Sequence, residues 1–217
     1  MFTVSRGSAR TVLAWVIAVT LGAGLTSGVC LGAQAKPEGL EMPDKLPKLQ
    51  GPVVVTTCGQ SPGAMMVRML CKQIGLACDQ NDMLKAGDLE SASKSKDKAY
   101  KTLIITMGTS LKGMGAAGVE VDEEVARINA LIATARKLGI FVIGAQIEGS
   151  SRRTDEYDEK SNRAVSPQSD LLIVRKEVDH DGYFTNVAKQ KSIPIIRTKE
   201  AIDFGYVFKV LFSLPLT

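Results

Sequence analysis

The sequence predicts a doubly wound α/β fold, Rossmann-like or flavodoxin-like, with a mostly parallel sheet of five or six strands and helices on both faces. Short apolar runs without polar alternation recur along the chain, which is how strands buried on both faces of a parallel sheet read. Segments of helical period lie between them, as βαβ units require. Glycine and hydroxyl residues cluster where strands should turn into helices.

The strand runs are Val53-Val54-Val55, Leu103-Ile104-Ile105, Ile140-Phe141-Val142-Ile143, Leu171-Leu172-Ile173-Val174 and Ile193-Pro194-Ile195-Ile196. Pro194 has no N–H for a ladder, so its strand belongs at an edge. Leu76-Ala77-Cys78 is a candidate short second strand. The clearest helix spans 121 to 138, with Val121, Val125, Ile128, Ile132 and Ala135 as its apolar stripe and Glu123, Glu124, Arg127, Arg136 and Lys137 on the wet side. Another opens at Ser61-Pro62, read as a hydroxyl cap and a first-turn proline, and runs to Ile74. Residues 79 to 98 read as a polar loop with one helical turn, and further helices are expected at 155 to 164, 182 to 191 and 199 to 212. Right-handed crossovers then give the strand order 2-1-3-4-5, with the Pro194 strand beyond it.

Residues 1 to 35 carry Arg6 and Arg10, an apolar run from Val12 to Leu25 and a small-residue ending at Ala33-Gln34-Ala35. That pattern predicts a secretory signal peptide cleaved after Ala35 and a periplasmic or extracellular domain, with lipid attachment at Cys30 as the competing reading. Residues 36 to 51 read as an extended, poorly packed linker rich in proline and glycine, leaving 52 to 217 as one α/β domain. The formal charge of +4 over 217 residues falls to +2 after cleavage, because the leader holds two arginines and no acid. So small an excess does not imply nucleic acid as a partner. Cys58, Cys71 and Cys78 remain, an odd count that allows one bridge and one free thiol.

In doubly wound sheets, ligands bind beyond the carboxyl ends of the strands where the winding reverses, here between the first and third strands. The loops expected there are 56 to 63, with Cys58, Gly59, Gln60 and Ser61, and 108 to 118, with Gly108, Thr109, Ser110, Lys112 and Gly113. Free N–H groups, hydroxyls and a lysine suit a small anion such as a carboxylate or phosphate. Glu148 and the pair Arg152 and Arg153 follow the fourth strand, where an arginine would clamp a carboxylate bidentately. Asp181 and Thr185 follow the fifth strand, either at the site or capping the next helix. Two aspartates beside His180 are too few and too close in sequence to make a metal site, and no cofactor motif follows a strand.

These features predict an extracytoplasmic binding module for a small anionic metabolite, serving a membrane transporter or sensor. Two alternatives stand beside it. One is a thiol-dependent or hydrolytic enzyme using Cys58 or Ser61, and the other a structural or interaction domain without a ligand. At Gly59-Gln60-Ser61, Lys112-Gly113 with Gly115-Ala116-Ala117-Gly118, Arg152-Arg153, and Asp181-Gly182 with Phe184-Thr185, the chain resembles a family of exported bacterial proteins catalogued only as a domain of unknown function. The resemblance spans Pro52 to the C-terminus. It implies a small Rossmann-like domain and no established activity, and it puts Cys58 where the family has a small residue.

Overall fold

A computed structural model describes residues 34–95 and 99–216. The expected signal peptide, apart from its last two residues, lies outside the described residues, as does Cys30. Six strands form one sheet: β1 (Val53–Cys58), β2 (Cys78–Gln80), β3 (Thr102–Met107), β4 (Phe141–Gln146), β5 (Leu171–Arg175) and β6 (Ile195–Thr198). They lie in the order β2-β1-β3-β4-β5-β6, and every ladder is parallel. Both the all-apolar strand runs and the placement of the Pro194 run at an edge follow from this order.

Among the described residues, six α-helices fill the crossovers, α1 (Gly63–Gln73), α2 (Ala86–Ser93), α3 (Leu111–Ala117), α4 (Val121–Lys137), α5 (Glu156–Val165) and α6 (Tyr183–Lys191), and α7 (Asp203–Leu211) follows β6. Alternate strand residues point to opposite layers, which gives two cores. On one face Val53, Val55, Ile104, Ile143 and Ile173 pack under Val67 and Leu70 of α1 and Phe204, Val207 and Phe208 of α7. On the other, Val54, Leu103, Ile105, Val142 and Leu172 meet Leu89 of α2, Ile128, Leu131 and Ile132 of α4, Val165 of α5 and Phe184 of α6. No helix among the described residues is long and apolar enough to cross a membrane.

Three local expectations change. Segment 36–51 is docked rather than poorly packed. Leu40 and Leu49 are buried, Glu41 pairs with Arg197 in an antiparallel bridge, and the Leu49 N–H donates to the Leu211 carbonyl at 2.8 Å. Its leucines recur often enough to cover apolar surface, and covering the outer side of β6 protects an unpaired edge. The loop read across 79–98 holds the two-turn helix α2. Finally, the apolar stripe of α4 is rotated from the expected one: Glu124, Ile128, Leu131 and Ala135 are buried, whereas Val121 and Val125 are only half-buried.

Candidate functional site

The loops after β1 and β3 lie side by side, as the strand order requires. Gln60 and Thr109 form an antiparallel bridge, and the Ser110 N–H donates to the Gly59 carbonyl at 2.7 Å. Contact this close needs glycine. At Gly59, where φ is +114°, an added Cβ would sit 2.5 Å from the Gly108 carbonyl oxygen. At Gly113 it would sit 2.1 Å from the Gln60 carbonyl oxygen. The glycines are thus accounted for by backbone packed on backbone.

The second loop is also shorter than it reads. After Gly108, Thr109 and Ser110 the chain enters α3, and Ser110 Oγ accepts from the Gly113 N–H at 3.1 Å as its N-cap. The glycine-rich stretch 111–118 is therefore mostly helix, ended by Gly118 at φ +66°. Lys112 is exposed on α3.

The amides that would greet an anion are bonded to the chain's own side chains. Glu124 of α4 is 2% exposed, and its Oε1 accepts from the Gly59 N–H at 3.0 Å and from Gln60 Nε2 at 2.9 Å. Asp158 of α5 accepts from the Thr109 N–H at 2.8 Å through Oδ1, and from the Thr154 N–H and hydroxyl through Oδ2. Ser161 Oγ accepts from the Gly108 N–H at 2.9 Å and donates to the Cys58 carbonyl. Glu148 Oε1 accepts from the Gly63 N–H at 3.0 Å, at the start of α1. A helix start or tight strand-end turn presents partial positive charge. Here that charge faces internal acceptors, most of them carboxylates.

Charge balance is internal too. Arg127 Nε and Nη2 donate to both Glu124 oxygens at 2.8 Å, and its remaining N–H groups reach the Thr57 and Leu84 carbonyls at 2.7 and 2.6 Å. Arg152 Nε donates to Glu148 Oε2 at 2.9 Å and its Nη1 to the Thr109 carbonyl at 3.0 Å, so this arginine holds the chain's own carboxylate. Arg153 belongs to a separate cluster. It pairs bidentately with Asp181 at 2.9 and 3.0 Å, bonds Glu159 at 2.7 Å, and lies over the rings of Tyr183 and Phe184.

Asp181 Oδ1 also accepts from the Tyr183 N–H at 3.0 Å, at the start of α6, whose N-cap is Gly182. Asp179 accepts from the Phe184 and Thr185 amides and from the Thr185 hydroxyl, while Arg197 bonds both Asp179 and Thr185. The fourteen residues singled out in the sequence therefore separate. Cys58 to Ser61, Gly108 to Ser110, Gly113, Glu148 and Arg152 share the switch point, and Lys112 stands exposed on α3 beside it. Arg153, Asp181 and Thr185 lie around the start of α6.

The contact with Arg153 holds the Asp181 carboxyl down to about pKa 2, and the Tyr183 amide adds to the effect. Because this pKa is depressed in the folded protein, its contribution to stability is complete above the ordinary carboxylate range and is lost as pH falls from about 4 towards 2. Asp181 is half exposed, so screening keeps that contribution small. Urea midpoints of wild type and Asp181→Asn should differ at pH 7 and converge by about pH 2.

Neither candidate nucleophile is activated. Burial pushes the Cys58 thiol up to about 12, although Ser161 beside it works the other way, so the helix-start effect expected from the sequence is overwhelmed. Ser61 is buried, its N–H donates to Thr57 Oγ1, and its hydroxyl lies 3.4 Å from that same oxygen. His180, the chain's one histidine, is exposed after β5. β5 is three strand positions from β1, a lateral separation of roughly 14 Å.

Glu124, Arg127, Asp158, Ser161 and Asp179 were absent from the sequence-derived set. Glu124 had a signal: it continues the line of Ile128, Leu131 and Ala135 at helical spacing, so a carboxylate stands on the sheet-facing side and needs a partner there. Asp158 and Ser161 have the same three-residue relation on α5 but no long apolar stripe to reveal it.

A family model for a domain of unknown function, DUF6305, matches residues 50–212. The chain belongs to the DUF6305 family. No curated protein matches the DUF6305 chain significantly. Among solved structures, it is similar to one titled TesA, at 13% identity over 66% of this chain and 77% of that one, with a TM-score of 0.34. It is also similar to a psychrotrophic esterase EstA from Pseudoalteromonas sp. inhibited by monoethylphosphonate, at 10% identity over 67% and 76% with a TM-score of 0.31. A third is a GDSL-like lipase from Bacteroides thetaiotaomicron, at 11% identity over 74% and 86% with a TM-score of 0.34.

The expectation of a binding module for a small anionic metabolite is corrected by the hydrogen bonding of the two loops. The Gly59, Gly63, Gly108 and Thr109 amides and the Arg152 guanidinium, which were to hold the anion, are bonded to Glu124, Glu148, Ser161, Asp158 and the Thr109 carbonyl of the same chain.

Proposed function

We propose that the DUF6305 domain of this chain is an interaction domain that works through its outer surface, with the carboxyl edge of the sheet serving as an internal brace. The observation that carries this reading is the bonding of Glu124, Asp158 and Glu148 to the backbone amides of the two switch-point loops. A ligand or substrate anion entering there would have to displace three partly or wholly buried carboxylates from satisfied hydrogen bonds, and leaving those unpaired is costly. The protonated, buried Cys58 and the Thr57-bonded Ser61 support the same reading.

Hydrolysis at Ser61 is the competing outcome, and it is open to direct assay. Short-chain p-nitrophenyl esters incubated with the purified protein should be cleaved no faster than in buffer, and Ser61→Ala should change nothing. Turnover above buffer that Ser61→Ala abolishes would overturn the proposal in favour of a hydrolase.

A further inference from the structure

Exposed apolar surface is concentrated at one place on the described part of the chain. Met69 of α1 and Ile202, just before α7, are 62% and 58% exposed and line one hollow between the two helices. Met65, 49% exposed, stands one turn from Met69 on the same side of α1. The hollow has a volume of about 750 Å³, with Met66 and Leu70 as further apolar walls. A second hollow, of about 320 Å³, shares Leu70 and Ile202 with it and runs on to Ile74 and Tyr206. The floor of this groove is the contact of α1 with α7, where a Cβ added at Gly205 would lie 3.8 Å from Ile74 Cγ2 and 3.9 Å from Leu70 Cδ2. Its charges have one sign. Arg68 and Lys72, both exposed and one turn apart on α1, border the first hollow and Lys209 the second, and neither is lined by an acid.

We propose that the α1/α7 groove docks an amphipathic helix of a partner protein, apolar on the face it buries and acidic along its flank. This deepens the interaction reading above and rests on it. Residues 66 to 74 extend roughly 12 Å along α1, enough for anchors at i, i+3 or i+4, and i+7 of a helix laid in the groove. Methionine suits such a wall, because its unbranched thioether reshapes around the anchor it receives. Glutamates beside those anchors would face Arg68 and Lys72, and no carboxylate of the lining would repel them. A second copy of the chain fits less well, since a two-fold contact would set these cations against themselves. A flat bilayer would leave the floor at Leu70 and Ile74 unfilled.

The test is fluorescence anisotropy of a fluorescein-labelled peptide of about 15 residues, with leucine at i, i+3, i+4 and i+7 and glutamate between, titrated with the full-length protein. Binding should saturate. Met69→Glu, at an exposed position compatible with folding, should weaken it by roughly tenfold or more. The double variant Arg68→Glu, Lys72→Glu should lose affinity to a similar extent and bind instead the same peptide with lysine in place of glutamate. Leu111→Glu, at an exposed apolar position on α3, should change nothing.

No saturation, equal binding of the lysine peptide by wild type, or undiminished affinity of Met69→Glu would overturn the docking site. So would cosedimentation with vesicles of equal parts phosphatidylcholine and phosphatidylglycerol that Met69→Glu abolishes, or a dimer in analytical ultracentrifugation that the same variant dissociates. Ester turnover and its loss in Ser61→Ala are read separately on the same preparation, so failure of the groove and failure of the interaction reading are told apart.

Discussion

Arg127→Met should destabilise the folded protein by about 3–5 kcal/mol, the range for removing one partner of a buried ion pair. The Arg127 side chain is 10% exposed and holds both oxygens of Glu124, together with the Thr57 and Leu84 carbonyls. Methionine fills much of the same space but donates nothing. Glu124 would keep its bonds from Gly59 and Gln60 and lose its counter-charge, and two carbonyls would lose donors. Adding Glu124→Gln should recover part of the loss, because the uncompensated charge disappears while an acceptor for Gly59 remains. Urea unfolding followed by far-UV circular dichroism gives both values. A loss under about 1 kcal/mol for Arg127→Met would mean that the pair is solvated in solution.

Gly59→Ala should cost about 2–5 kcal/mol, combining a backbone conformation that side chains rarely adopt with overpacking against a neighbouring loop. The added Cβ meets the Gly108 carbonyl oxygen at 2.5 Å and Thr109 Cα at 2.7 Å, both backbone atoms held by Asp158, Ser161 and the adjacent strand. Gly115→Ala provides the contrast. It lies within α3, with nothing within 4 Å of its added Cβ, so it should be neutral or stabilise by roughly 0.5–1 kcal/mol. Equal effects of the two substitutions would show that the loops are not in rigid contact.

The fold was legible because burial on both faces leaves an unusual trace. Val53 to Val55, Leu103 to Ile105 and Leu171 to Val174 show no polar alternation, and the helical period of 121–138 between such runs admits few topologies. The site was legible only as a location. Gly59 and Thr109 do face each other, because the strand order puts them there. Their hydrogen-bond partners come from α4 and α5, with Glu124 and Asp158 separated from those loops by 65 and 49 residues. No local pattern around Gly59 reveals that a distant glutamate already occupies it. Glycine carries the same ambiguity, since the freedom that admits a ligand also admits a neighbouring backbone. At Gly59 and Gly113 the neighbour is backbone. α3 is hidden in the sequence because Gly113 and Gly115 are poor helix formers, and its Ser110 cap with the αL ending at Gly118 outweighs their propensity.

The most direct measurement is native-state amide hydrogen exchange, resolved by NMR, at Gly59, Gly63, Gly108 and Thr109. Bonded to Glu124, Glu148, Ser161 and Asp158, these four should exchange slowly, with protection comparable to that of the β1 and β3 amides. Rapid exchange at Gly59 and Thr109, together with saturable shifts of those signals on adding phosphate or acetate, would mean that the carboxylates are displaced in solution and that the edge is an open anion site.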